Sequence, residues 1–133
     1  MIISHKYKFI FLKTKKTGGT SIEISLSRYC GENDIITPIS IEDEAIRKLL
    51  GKKPQNYNMI ESGEEKKYYN HIPAEEVKNQ IGNSVWKSYY KFCFERNPFE
   101  QAISMYFFQT KSRSMENFDN WLKKKKICKL SQL

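Results

Sequence analysis

The chain has 133 residues, is 39% apolar and 14% aromatic, and carries a formal net charge of +8. That size suits a single domain over residues 1–133 that buries roughly two-thirds of its unfolded surface, and the composition excludes a disordered chain. No apolar run approaches the roughly 20 residues that span a bilayer, and Lys6 and Lys8 interrupt the apolar N-terminus, which speaks against a signal peptide. The positive balance favours anionic partners. It is concentrated in one knot at Lys13, Lys15 and Lys16 and another at Lys123 to Lys126, the second reading as a solvated helix end. Cys30, Cys93 and Cys128 are widely spaced and match no metal pattern. Cys30 and Cys93 read as small core residues, and a reducing, cytoplasmic compartment follows from the lack of a disulfide framework.

In chain order, Tyr7 to Lys13 holds the continuous apolar run Phe9-Ile10-Phe11-Leu12, the pattern of a strand buried on both faces. The polar loop Thr14 to Ser21, with Gly18 and Gly19, follows. Ile22, Leu26, Tyr29 and Cys30 then recur at helical spacing, with Gly31 as a stop. Ile35-Ile36 suits a short strand. Ser40 with Asp43 forms a capping signature for a helix whose apolar stripe is Ile41, Ala45, Ile46, Leu49 and Leu50, ended by Gly51. Residues 52–67 are polar and irregular, and a mobile loop is expected there. Pro73 opens a helix through Ile81, closed by Gly82, with His71 just ahead of it. Tyr89 to Glu95 is an aromatic-rich strand, and Arg96-Asn97-Pro98 turns into a helix with Phe99, Ile103, Tyr106 and Phe107 on one face. A last helix after Ser114 would turn Phe118, Trp121 and Leu122 inward. There is no internal repeat.

Lys16-Thr17-Gly18-Gly19-Thr20-Ser21 sits where a strand hands over to a helix. Unpaired N–H groups at a helix N-terminus carry partial positive charge, and glycines let that backbone approach an anion. Lys16 adds a full charge, and Thr20 and Ser21 add hydroxyl donors. The same residues also suit an ordinary glycine turn with helix-capping hydroxyls. Arg96, at the carboxyl end of a strand, has the fork geometry for phosphate, although a salt bridge to Glu95 or Glu100 would also explain it. Ser104 lies two turns into the helix that follows. Two anion sites at the strand ends of one α/β sheet suit a ligand with two separated anionic groups. His71 is either a base or a surface or capping residue; His5 reads as structural or incidental.

Lys16 to Ser21 resembles the 5′-phosphosulfate loop, PKTGGTS, of the Golgi-type and bacterial carbohydrate sulfotransferases. Phe94-Glu95-Arg96-Asn97-Pro98-Phe99 with Ser104 and Tyr106 resembles their 3′-phosphate motif, an RNP followed by Ser and Tyr. Asn70-His71-Ile72-Pro73 resembles the segment that holds their catalytic histidine, and Phe118 with Trp121-Leu122 a helix that commonly follows. The resemblance implies a P-loop-like parallel sheet flanked by helices. It implies a donor, 3′-phosphoadenosine 5′-phosphosulfate (PAPS), and an acceptor hydroxyl, chiefly on a carbohydrate, with no metal. It further implies that Lys16 contacts the phosphosulfate and steadies the leaving oxygen, that Thr17, Gly18, Gly19, Thr20 and Ser21 hold the 5′-phosphate, that Arg96 and Ser104 hold the 3′-phosphate, and that His71 is the general base. The chain departs from the pattern at Lys15, where the family has Pro, and at Glu95, where it has an apolar residue. It also ends at Leu133, short of the segments with which such enzymes continue, so a minimal variant, a fragment or a decayed copy that binds donor without catalysis is an alternative.

Two other classes fit less well. A P-loop kinase needs Gly-x-x-x-x-Gly-Lys-Ser/Thr, whereas Lys16 precedes the glycines here. A nucleic-acid module would interleave aromatic and basic residues on one surface, whereas these aromatics follow core periods.

Overall fold

The computed structural model describes residues 1–125. Lys126, Cys128 and Leu133 lie outside the described residues. In chain order the elements are β1 (Ile2–Ser4), β2 (Phe9–Phe11), α1 (Gly19–Ser27), β3 (Ile35–Ile36), α2 (Ile41–Leu49), β4 (Asn58–Glu61), β5 (Glu64–Lys67), α3 (Ala74–Ile81), α4 (Asn83–Ser88), β6 (Tyr90–Phe92), α5 (Pro98–Thr110) and α6 (Phe118–Lys124). They fall into two compact units, Met1–Phe94 and Glu95–Leu133.

The first unit is built on a four-stranded sheet of order β3-β1-β2-β6. The expected parallel pairing is present between β2 and β6, with Ile10 opposite Lys91. β1 runs antiparallel to β2 and to β3, so the α/β sheet is mixed. The reason is the short link between β1 and β2, because a tight turn can join only antiparallel strands. Asp34 fastens that turn, accepting the His5 N–H at 2.7 Å and the Lys6 N–H at 3.1 Å. Alternate residues of each strand go to opposite faces. Ile3, Ile10 and Ile35 pack with Tyr68, Ile72 and Val77 on one face. Ile2, Phe11 and Ile36 pack with Cys30 on the other, where Ile22 and Leu26 of α1 cover them. That two-sided burial is why the strands read as unbroken apolar runs.

Several expectations are corrected. The fully buried side chains of α1 include Glu23 and Ser27, whereas Tyr29 is exposed. The apolar stripe of α2 faces outward: Ile41 is 87% and Leu49 86% exposed, and Ile46 and Leu50 are also exposed, while Arg47 is fully buried. The cause is Glu23. Its carboxylate, buried on α1, stands 3.2 Å from the Arg47 guanidinium, which also donates to the Thr37 carbonyl and pairs with Glu44. Arg47 joins the Met1 amino group and Lys13 around that carboxylate and bonds its second oxygen, and satisfying a buried charge outweighs a few exposed aliphatic side chains. Residues 52–67, expected as a loop, contain the antiparallel β4–β5 hairpin. Its turn places Ser62 at φ 54° and Gly63 at φ 83°, the left-handed pair that matches strand twist. Its strands are mostly Glu and Lys, so no alternation announced them. Cys93, expected in the core, is exposed.

In the second unit, Asn97 caps α5 by accepting the Phe99 N–H at 3.0 Å, and Pro98 occupies the first turn. Tyr106 is buried against the rings of Phe118 (5.3 Å between centroids) and Trp121 (5.6 Å). Phe99, expected on the inner face of α5, is 79% exposed. Lys123 to Lys125 are exposed at the end of α6.

Candidate functional site

β2 and β6 run parallel, so the chain leaves both strands at the same edge of the sheet, where the Leu12 N–H donates to the Phe92 carbonyl at 2.9 Å. The loop from Lys13 to Gly18 starts there. Thr14 Oγ1 donates to the Phe94 carbonyl at 2.5 Å and stands 2.9 Å from Thr17 Oγ1. These hydroxyls tie the loop to the chain leaving β6.

The loop backbone is curled. Lys16 (φ 60°) and Gly18 (φ 76°) both lie in the left-handed region. Glycine adopts that region freely, but lysine does so at a cost, and such residues cluster at ligand-binding turns. No side chain caps the first turn of α1, and no acidic residue stands in it. The N–H groups at Gly19, Thr20 and Ser21 therefore keep the donor field that a helix start offers to an anion. Gly19 is buried because the side chain of Lys13 crosses it: a Cβ there would meet Lys13 Cγ at 2.8 Å.

His71 stands beside this loop. It follows β5 in a turn and is itself left-handed, at φ 60°. Ile72, next in the chain, is buried in the core and anchors that turn. His71 Nδ1 lies 3.0 Å from the carbonyl oxygen of Lys13. A carbonyl can only accept, so Nδ1 carries the proton, and in the neutral ring Nε2 is left as the acceptor. Burial holds the imidazole below its ordinary 6.5; the hydrogen bond to Lys13 opposes this, while the charges of Lys13, the Met1 amino group and Lys15 reinforce it. The ring is therefore mainly neutral at pH 7.

Lys13 is the residue on which these parts converge. It is buried, and its ammonium lies 3.1 Å from Glu23 Oε2 as an ion pair. Along the sequence Lys13 is visible only as part of a basic knot, and neither Glu23 nor Thr14 stands out. The available signal was a lysine directly after a two-faced apolar strand and a glutamate on the core side of the next helix.

Arg96 and Ser104 belong to the second unit. Arg96 precedes α5, and its Nε donates to Glu100 Oε2 at 3.1 Å. This is one of the two salt bridges weighed from the sequence. Both side chains are exposed, at 42% and 62%, and such a pair is worth only about 0.3–0.5 kcal/mol. Ser104 is half-buried on α5. Away from the loop, His5 Nδ1 meets the Tyr89 hydroxyl at 2.7 Å, a structural contact.

A family model described as "Sulfotransferase family" matches residues 1–131. The chain belongs to the sulfotransferase family. An uncharacterized protein of Archaeoglobus fulgidus is similar, with 38% identity over 37 residues, a stretch that spans 28% of this chain and 31% of that relative. No solved structure matches the chain significantly. For this sulfotransferase-family chain, no helix among the described residues is long and apolar enough to cross a membrane. No cluster of three or more His, Cys, Asp or Glu among them could hold a metal ion.

Proposed function

We propose that this chain transfers a sulfuryl group from PAPS to an acceptor hydroxyl, on a carbohydrate by family expectation. The observation that carries the reading is the His71–Lys13 hydrogen bond. It sets a histidine with a free Nε2 lone pair beside a loop whose backbone and lysines suit a phosphosulfate.

In this reading Nε2 of His71 takes the acceptor hydroxyl proton while that oxygen bonds to sulfur. The bond from sulfur to the bridging oxygen breaks, and adenosine 3′,5′-bisphosphate (PAP) leaves. Lys16 and the first-turn N–H groups of α1 would offset the charge growing on the departing phosphate, as fixed donors do in related transfers. Arg96 and Ser104 would hold the 3′-phosphate. The exposed Glu100 partner would not prevent this, because a charged hydrogen bond to phosphate is worth about 1.5–3 kcal/mol, more than an exposed ion pair.

Calorimetric titration with PAP tests the donor half. PAP should bind, and Arg96→Ala and Lys16→Ala should each weaken binding by about 1.5–3 kcal/mol, roughly ten- to a hundredfold. Failure of PAP to bind refutes the proposal. Binding without transfer to any sugar acceptor would leave a donor-binding domain.

A further inference from the structure

The geometry points to Glu23 as a positioning residue that sets the tautomer of His71 through Lys13, an inference that rests on the reading of His71 as the base. The partners of the Glu23 carboxylate, Met1, Lys13, Thr37 and Arg47, are not among the residues assigned to donor or acceptor. It is fully buried on α1 and faces three basic groups: the Met1 amino group at 2.9 Å, which burial lowers to about 6, Lys13 at 3.1 Å and Arg47 at 3.2 Å. Thr37 Oγ1 also donates to it, at 3.1 Å.

The chain of contacts from Glu23 to His71 is short. A buried ammonium needs an anion, so Glu23 decides where the far end of Lys13 goes. Between its ends, the Lys13 side chain lies against Gly19, so tightly that no Cβ fits there. The next residue is fixed as well, because the Thr14 hydroxyl donates to Phe94. With the Lys13 side chain pinned and Thr14 anchored, the peptide plane between them has little freedom. Its carbonyl is the acceptor for His71 Nδ1.

This matters because the alternative tautomer cannot act as the base. A free neutral imidazole favours the proton on Nε2, and a histidine in that form has no lone pair to offer there. The hydrogen bond made by one ring nitrogen decides which nitrogen carries the proton. Within this cluster the charged groups acting on His71 are Lys13, Lys15 and the Met1 amino group, and Glu23 stands against two of these three.

The test is nitrogen-15 NMR of the His71 ring in the full chain, read with turnover and PAP affinity. The parent should show the Nδ1–H tautomer above the pKa of the ring. Lys13→Met keeps the stem over Gly19 and removes the ammonium. Lys13→Met combined with Glu23→Gln removes one cation and one anion together, so the net charge of the buried cluster is unchanged; because Arg47 also loses its partner, the melting temperature and backbone spectrum must first show that the double variant is folded. In both, the signal should move toward the Nε2–H form. Turnover should fall about 10- to 100-fold, the scale seen when a functional histidine loses its orienting partner. PAP affinity should stay within about twofold, since a positioning residue for the base acts on kcat. An Nε2–H parent, or an unchanged Nδ1–H signal in the folded double variant, overturns the inference. A shifted tautomer with unchanged turnover supports it and instead refutes His71 as the base, so the two failures are distinguishable.

Discussion

Gly19→Ala is the most informative single change, because the fold gives its cost a definite source. Gly19 opens α1 with an ordinary helical backbone, so alanine there would normally stabilise by about 0.4–1 kcal/mol through the unfolded chain. Here the added methyl meets Lys13 Cγ at 2.8 Å. Lys13 cannot swing aside, because it is buried and its far end is paired with Glu23. Breaking that pair would cost about 3–5 kcal/mol, so the structure takes the cheaper route of local overpacking, at about 1–3 kcal/mol. The net expectation is a loss of about 0–2.6 kcal/mol, centred on about 1.3, read from the urea midpoint at constant slope. Lys13→Ala removes the clashing atom, and Glu23 keeps the Met1 amino group and Arg47 as partners. In that background the cost of Gly19→Ala should vanish. Gly18→Ala is the control: nothing lies within 4 Å of its Cβ position, but its φ of 76° costs alanine about 1–2 kcal/mol whether or not Lys13 is present. The reasoning fails if Gly19→Ala is more stable than the parent, or if its effect is the same in the Lys13→Ala background.

Three further outcomes are expected. Because His71 is held below 6.5 in the fold, its contribution to stability is fully present above 6.5 and is lost as pH falls toward its folded value; the acid limb of kcat/KM should likewise lie below 6.5, and a limb above it would contradict the environment described. Arg47→Ala should cost about 3–5 kcal/mol in urea unfolding, whereas Leu49→Ala should stay within about 0.5 kcal/mol; the reverse order would mean that α2 presents its other face to the sheet. Iodoacetamide should label the exposed Cys93 in the native protein and leave Cys30 untouched, since Cys30 is buried and burial pushes its thiol up to about 12; mass spectrometry of the labelled peptides decides it.

Much of this protein is legible along the chain. The run Phe9–Leu12 announced a two-faced strand, because burial on both sides leaves no position for a polar residue, and Ile35-Ile36 announced a short one. Lys16 to Ser21 announced the start of a helix, since glycines and hydroxyls between an apolar strand and a helical period mark that hand-over. The same residues carried the family resemblance. All of these are local signals, in which neighbours in sequence determine the chemistry. What tertiary structure decided was long-range. The orientation of α2 turned on a glutamate 24 positions before Arg47, and no helical period records such a partner. The β4–β5 hairpin formed from main-chain pairing, which leaves no trace in side-chain polarity. The state of His71 rests on the carbonyl of a residue 58 positions earlier. Every residue carries a carbonyl, so only the fold could say which one would meet the imidazole and leave Nε2 without a proton.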